Sequence, residues 1–178
     1  PYMQAHWANL LTLARLISTL PCAWAVVSDA WTTAAWLFTF AAVSDFADGP
    51  LARRYNSNTA LGGLFDHSTD ALFVVVVLVA LYTQDYVPWL LPLLITLAFT
   101  QYALDSPALT GHSLRASWLG RGNGIAYFVL IGVVLIRNAM ELTWPNDALV
   151  YGLAWTLVVT TCASMADRTI TLWRSRTR

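Results

Sequence analysis

Runs of about twenty mostly apolar residues recur six times along the chain, and no other feature narrows its folding options so far. Wound as a helix, a run of that length matches the ~30 Å hydrocarbon core of a bilayer. The candidates are Trp7 to Val27, Ala30 to Arg54, Ala60 to Thr83, Val87 to Ser106, Leu119 to Met140 and Asp147 to Thr171. A 178-residue chain that is 57% hydrophobic and 11% charged has more apolar surface than one soluble core can bury. The expected fold is therefore all-α: a single membrane-embedded domain over residues 1–178, polytopic, with six transmembrane helices. No repeat or low-complexity tract interrupts the pattern.

Charge placement orients the spans. With the amino terminus inside, Arg15, Arg53, Arg54, Arg115, Arg121, Arg168, Arg174, Arg176 and Arg178 fall at or near cytoplasmic ends, and Arg137 alone lies toward the other side. Both termini are then cytoplasmic, and the outer turns carry Asp29, Asp85 and Glu141. Tyr86, Trp89 and Trp144 are expected as interfacial anchors outside, with Trp7, Trp118 and Trp173 inside. The net charge is zero and lysine is absent, so nucleic-acid binding is not suggested. No basic segment followed by a cleavage site opens the chain, and no signal peptide is expected. Cys22 and Cys162 lie in apolar runs and are expected as small buried hydrophobes.

Against this background, the stretch from Asp45 to Asp70 stands out because it places four carboxylates between two apolar runs. On a helix, Asp45, Asp48 and Ala52 recur at i, i+3, i+7, and Gly62, Asp66 and Asp70 at i, i+4, i+8. Each half thus has a face with two acids and a very small residue. Asn56, Ser57 and Asn58 suit a reversal between the halves, which would let the acidic faces meet. Two ionised carboxylates about 5 Å apart repel by roughly 3 kcal/mol at an effective dielectric near 20, so four require a cation or protons. All-oxygen ligands suit a hard divalent ion, Mg2+, Mn2+ or Ca2+, and two ions could be held. Gly49, Gly62 and Gly63 permit close approach of a phosphate-bearing ligand, with Arg53 one turn beyond Gly49. Taken singly, these features also suit interfacial acids and a helix-packing seam.

The run Asp45-x-x-Asp48-Gly49-x-x-Ala52-Arg53, then eight residues, then Gly62-x-x-x-Asp66-x-x-x-Asp70, resembles at every fixed position the signature of the CDP-alcohol phosphotransferase family. The motif covers about 26 residues, and the hydropathy layout extends the likeness over nearly the whole chain. The resemblance implies transfer of a phosphatidyl group from CDP-diacylglycerol to an alcohol, with release of CMP. It implies metal binding by Asp45, Asp48, Asp66 and Asp70, with Asp70 also taking the proton of the attacking hydroxyl. Gly49, Ala52, Arg53 and Gly62 would shape the pocket for the CDP moiety. Family members are commonly homodimers, and an integral protein of a bacterial inner membrane with its site facing the cytoplasm is implied.

Outside the motif, Asn9, Thr12 and Arg15 follow one another at three-residue intervals on the first span, and family members commonly carry an Asn-x-x-Thr-x-x-Arg stretch there. Asn9 and Thr12 are candidates for the nucleotide pocket. Arg15 needs an anionic partner, either protein or lipid phosphate. Ser117-x-x-Gly120-Arg121 resembles a Ser-x-x-Gly-Lys segment of phosphatidylglycerophosphate synthase-like members, although Gly122-Asn123-Gly124 departs from their usual continuation. Arg115, Ser117 and Arg121 are the candidate acceptor-phosphate site. Glycerol 3-phosphate is the first choice of acceptor, inositol phosphate the second, and an unphosphorylated alcohol the third. His67 is expected to pack against a neighbour rather than to bind metal, and Asp167-Arg168 to form an exposed or locally paired cap. A noncatalytic cation carrier and an inactive family member are the competing classes.

Overall fold

The structure, a computed structural model, describes residues 2–54, 60–105 and 118–176, with the side chains of residues 13–43, 64–105, 119–171 and 173. Among the described residues there are six helices and no strand. They are α1 (Tyr2–Val27), α2 (Trp31–Arg54), α3 (Ala60–Thr83), α4 (Leu90–Leu104), α5 (Trp118–Ala139) and α6 (Asp147–Arg176). By length and composition, three of them contain segments able to cross a membrane: Leu64–Thr83, Leu119–Ala139 and Asp147–Thr171. Leu13–Val27, Trp31–Val43 and Leu90–Leu104 are shorter apolar segments. Trp24, Trp36, Leu20, Val159 and Ile125 all stand exposed, as a surface bathed in lipid permits.

Most helix ends agree with the expected spans, and the differences have local causes. Helix α4 begins at Leu90, three positions later than expected, because Pro88 disfavours the helical conformation at Val87. Val87 and Pro88 are instead buried as an irregular plug. Pro92 falls in the first turn of α4, where its missing N–H costs nothing. At the other extreme, α6 continues to Arg176, five residues past the expected end, since neither Gly nor Pro interrupts that stretch.

Helices α1, α3 and α5 terminate alike. Asp29, Asp85 and Glu141 adopt positive φ of 56°, 61° and 55°. In each case the next residue's N–H closes back on the last turn: Ala30 to the Ala25 carbonyl at 2.8 Å, Tyr86 to Leu81 at 3.0 Å, and Leu142 to Arg137 at 2.9 Å. These three ends lie together. Gln84 Nε2 donates to the Val26 and Val27 carbonyls, each at 3.2 Å, so α3 caps the end of α1. Tyr86, expected as an interfacial anchor, is a structural bolt: its hydroxyl hydrogen-bonds Asn138 Oδ1 at 3.1 Å, Trp31 meets its ring edge-on, and the Arg137 guanidinium lies over it at 5.2 Å. Arg137 also pairs with Asp147 at 2.7 Å and donates to the Pro145 carbonyl at 2.7 Å, joining α5 to α6.

The core lies between this end and the acidic one. On α3, Asp66, Asp70, Phe73, Val77 and Leu81 follow at intervals of four, three, four and four, a single helical face whose last three members are wholly buried. α1 and α5 each pack against both α2 and α3. The two motif-bearing helices meet through long side chains, Phe38 to Phe73, at 6.3 Å between ring centres, and Phe128 of α5 stacks on Phe73 at 6.2 Å and 7°. Gly132 of α5 makes room for this layer: a Cβ there would lie 3.0 Å from the Phe38 ring. Cys22 is buried as expected. Cys162 is exposed on α6, because an apolar run in a membrane protein serves lipid contact as readily as burial.

Candidate active site

The four-residue spacing of Asp66 and Asp70 on α3 brings their carboxylates onto one side of the helix, where α1 packs. Arg15 of α1 enters between them. Its Nη1 lies 3.4 Å from Asp66 Oδ1 and forms a second, shorter ion pair with Asp70 Oδ1. The Arg15 side chain is 0% exposed, whereas those of Asp66 and Asp70 are 39% and 20% exposed. The anion needed by this arginine is therefore supplied by the protein, and the lipid-phosphate alternative gives way. Attraction between unit charges at such separations is about 4 kcal/mol per carboxylate at an effective dielectric near 20, set against the cost of burying the guanidinium.

The backbone behind Arg15 is itself tied down. The hydroxyls of Ser18 and Thr19 both donate to the Arg15 carbonyl, at 2.8 and 2.9 Å. This satisfies two buried hydroxyls within α1 and leaves its packing face smooth. Ser68 and Thr69 do the same on α3, to the Leu64 and Phe65 carbonyls.

One ligand atom each from Asp66, His67 and Asp70 lie within 4.8 Å of one another. That set fits a divalent cation: two carboxylate oxygens with an imidazole nitrogen beside them, partly open to solvent. His67 also packs edge-on against Tyr102 of α4, with ring centres 5.8 Å apart, as the expected packing role requires. The structure thus adds a proximity to the acids that its position 100° around the helix from Asp66 did not suggest.

Tyr102 is held from its other side by Arg168, whose guanidinium carbon lies 5.0 Å from the ring centre. Arg168 is not a locally paired cap. It reaches Asp105 at the end of α4, Nε to Oδ2 3.3 Å, because adjacent residues on a helix diverge by about 100° and Asp167 cannot face it. Gln101 Nε2 adds a bond to Thr169 Oγ1 at 3.0 Å, so α4 and α6 are stitched at the end that bears the acids.

Arg121 is exposed in the first turn of α5, and Gly122 and Gly124 beside it have open space where a Cβ would point. Asn123, between the glycines, is buried beside the Tyr127 hydroxyl. The sequence marked Asn123 only as a departure from a familiar segment; its burial comes from the packing of α5. Asp45, Asp48, Gly49, Ala52 and Arg53 belong to α2, Gly62 to α3, and Asn9 and Thr12 to α1, but their side chains lie outside the described residues, as do Arg115 and Ser117 entirely.

An all-helical, apolar bundle with paired aspartates on an inward helix face defines a membrane protein with a polar, cation-compatible site at one end of its helices. The sequence profile of the CDP-alcohol phosphatidyltransferase family matches residues 5–167, and the chain belongs to that family of membrane transferases of phospholipid synthesis. It is similar to the CDP-diacylglycerol–glycerol-3-phosphate 3-phosphatidyltransferase of Escherichia coli (strain K12), at 28% identity over 186 residues, covering 93% of this chain and 98% of the relative. The proteins of the same name from Shigella flexneri serotype 5b and Shigella boydii serotype 4 share that identity and coverage.

Proposed function

We propose that the protein transfers the phosphatidyl group of CDP-diacylglycerol to glycerol 3-phosphate. The observation that carries this is the convergence of Asp66 and Asp70 on Arg15 within 4.8 Å of one another's ligand atoms, at the motif positions of a phosphatidyltransferase family. The acceptor is supported by the activity named for relatives matched over 93% of the chain, and by an arginine, Arg121, exposed where a phosphate handle could be bound. Inositol phosphate is the second choice.

Asp66 and Asp70, joined by Asp45 and Asp48 of α2, would hold the divalent cations, Mg2+ or Mn2+ and two in number. Such ions supply charge neutralisation at a pyrophosphate and at the departing phosphate. Gly49, Ala52, Arg53 and Gly62, with Asn9 and Thr12 of α1, are assigned to the CDP moiety; small residues admit its phosphates to the helix surface and Arg53 supplies a fork of donors. Asp70 accepts the proton of the acceptor hydroxyl as that oxygen attacks the diacylglycerol-side phosphorus. The bond from that phosphorus to the CMP oxygen breaks, and CMP leaves with the electron pair. Arg115, Ser117 and Arg121 hold the acceptor phosphate.

The arrangement in the membrane follows the arginines. Six helices crossing the bilayer, with both termini and the acidic site on the cytoplasmic side of a bacterial inner membrane, put nine of the ten arginines of the sequence inside. Acyl chains then lie among the exposed apolar side chains while the headgroup meets the acids. A homodimer is part of the proposal by family analogy.

Purified protein given CDP-diacylglycerol and glycerol 3-phosphate should release CMP with Mg2+ or Mn2+ and none with excess EDTA. Release unaffected by EDTA would overturn the metal assignment. CMP release only with a different alcohol would overturn the acceptor, and no release with any alcohol would favour a carrier.

A further inference from the structure

We infer that Arg15 is a resident counter-cation that stands in for the divalent ion before it arrives and then opposes its binding. This rests on the metal assignment proposed above and gives a function to a residue outside the acidic motif.

Three features lead here. Arg15 is on α1, yet its Nη1 meets one oxygen of each α3 aspartate, so a single permanent positive charge bridges the two carboxylates. Without it, two anions four residues apart on the packing face of α3 would repel each other and resist closure against α1. With it, α1 and α3 can close on each other before any ion is present.

The second feature is confinement. Arg15 is fully buried, and the turn that carries it is braced by Ser18 and Thr19 on its carbonyl. To leave the acids, the guanidinium would have to give up a fully buried position. Third, arginine does not release its proton, so the charge persists at the acids throughout. A divalent ion at Asp66 and Asp70 must therefore share its ligands with a fixed cation, and the protein alone holds it weakly. With two divalent ions and Arg15 set against the four aspartates, the site carries one excess positive charge that a pyrophosphate offsets, so the second ion and the nucleotide lipid load together.

The test is a Mn2+ titration of the purified full-length chain in detergent, with free Mn2+ followed by electron paramagnetic resonance. Arg15→Gln should bind Mn2+ at least fivefold more tightly than the unsubstituted protein, and Arg15→Lys, which keeps the charge, should remain within fivefold of it. Metal-free Arg15→Gln should also melt at a lower temperature, with the deficit reduced by saturating Mn2+. Should that variant require Mn2+ to stay folded, the same affinity is read by chelator competition from the loaded protein. A gain below fivefold, a weakening, or a lysine variant as tight as the glutamine one overturns the inference while leaving the metal assignment standing. A wild-type protein that binds no Mn2+ even with saturating CDP-diacylglycerol overturns both.

Discussion

Arg168 on α6 and Asp105 at the end of α4 meet at 3.3 Å although 63 residues separate them. The same guanidinium covers Tyr102, and Tyr102 in turn abuts His67 beside the α3 acids. A continuous set of contacts thus runs from the candidate cation site to the point where the chain enters residues 106–117, which carry Arg115.

This clasp should be measurable as a coupling. Both side chains are about a fifth exposed, so solvent screening reduces the pair from a buried ion pair toward a surface one. A double-mutant cycle of Asp105→Asn and Arg168→Gln, read by denaturation in detergent, should give an interaction energy of about 1 kcal/mol. A value indistinguishable from zero would mean that the helix ends are held by other contacts.

Asp70→Asn keeps the side-chain shape but removes its charge. Transfer should fall by about a thousandfold or more, as loss of a general base predicts. Helical content by circular dichroism should be unchanged, while stability should drop by about 2 kcal/mol because Arg15 loses a charged partner. Retained turnover would assign the proton transfer to another residue.

Arg121→Ala should raise the Michaelis constant for glycerol 3-phosphate by about tenfold, leaving that for CDP-diacylglycerol within about twofold. A rise in the lipid constant alone would move Arg121 from the acceptor to the nucleotide side.

Two glycines offer a packing contrast. Gly132→Leu must displace the Phe38 ring from the Phe38–Phe73–Phe128 layer and should cost about 2 kcal/mol. Gly152→Leu enters open space on the exposed side of α6 and should change stability by less than about 0.5 kcal/mol. Equal effects from the two would show that the aromatic layer is not a tight contact.

Much of the candidate site was legible before any coordinates. The i, i+4 spacing of Asp66 and Asp70 required a shared face, and an arginine in an apolar run required an anion. Which anion was not legible, since a lipid phosphate and a protein carboxylate satisfy the same residue equally well. Arg168 was misplaced for a related reason: a neighbour in sequence is a poor partner on a helix, and the true one, Asp105, sits on a helix that only the fold brings alongside. Tyr86 and Cys162 erred in opposite directions, one expected at the interface and found bracing helices, the other expected inside and found exposed.

The sequence by itself determined that the chain is helical, where each of its six helices begins or ends to within a few residues, and which acids form the chemical motif. Those properties follow from local geometry, the 1.5 Å rise and the 3.6-residue turn. Only the tertiary structure decided which helices are neighbours, that Arg15 faces Asp66 and Asp70, and that Phe38 rests on Gly132. In a membrane the apolar side chains of both core and periphery are comfortable in their surroundings, so hydrophobicity does not mark an interior. Steric fit and charge pairing select the partners, and both depend on residues far apart in the chain.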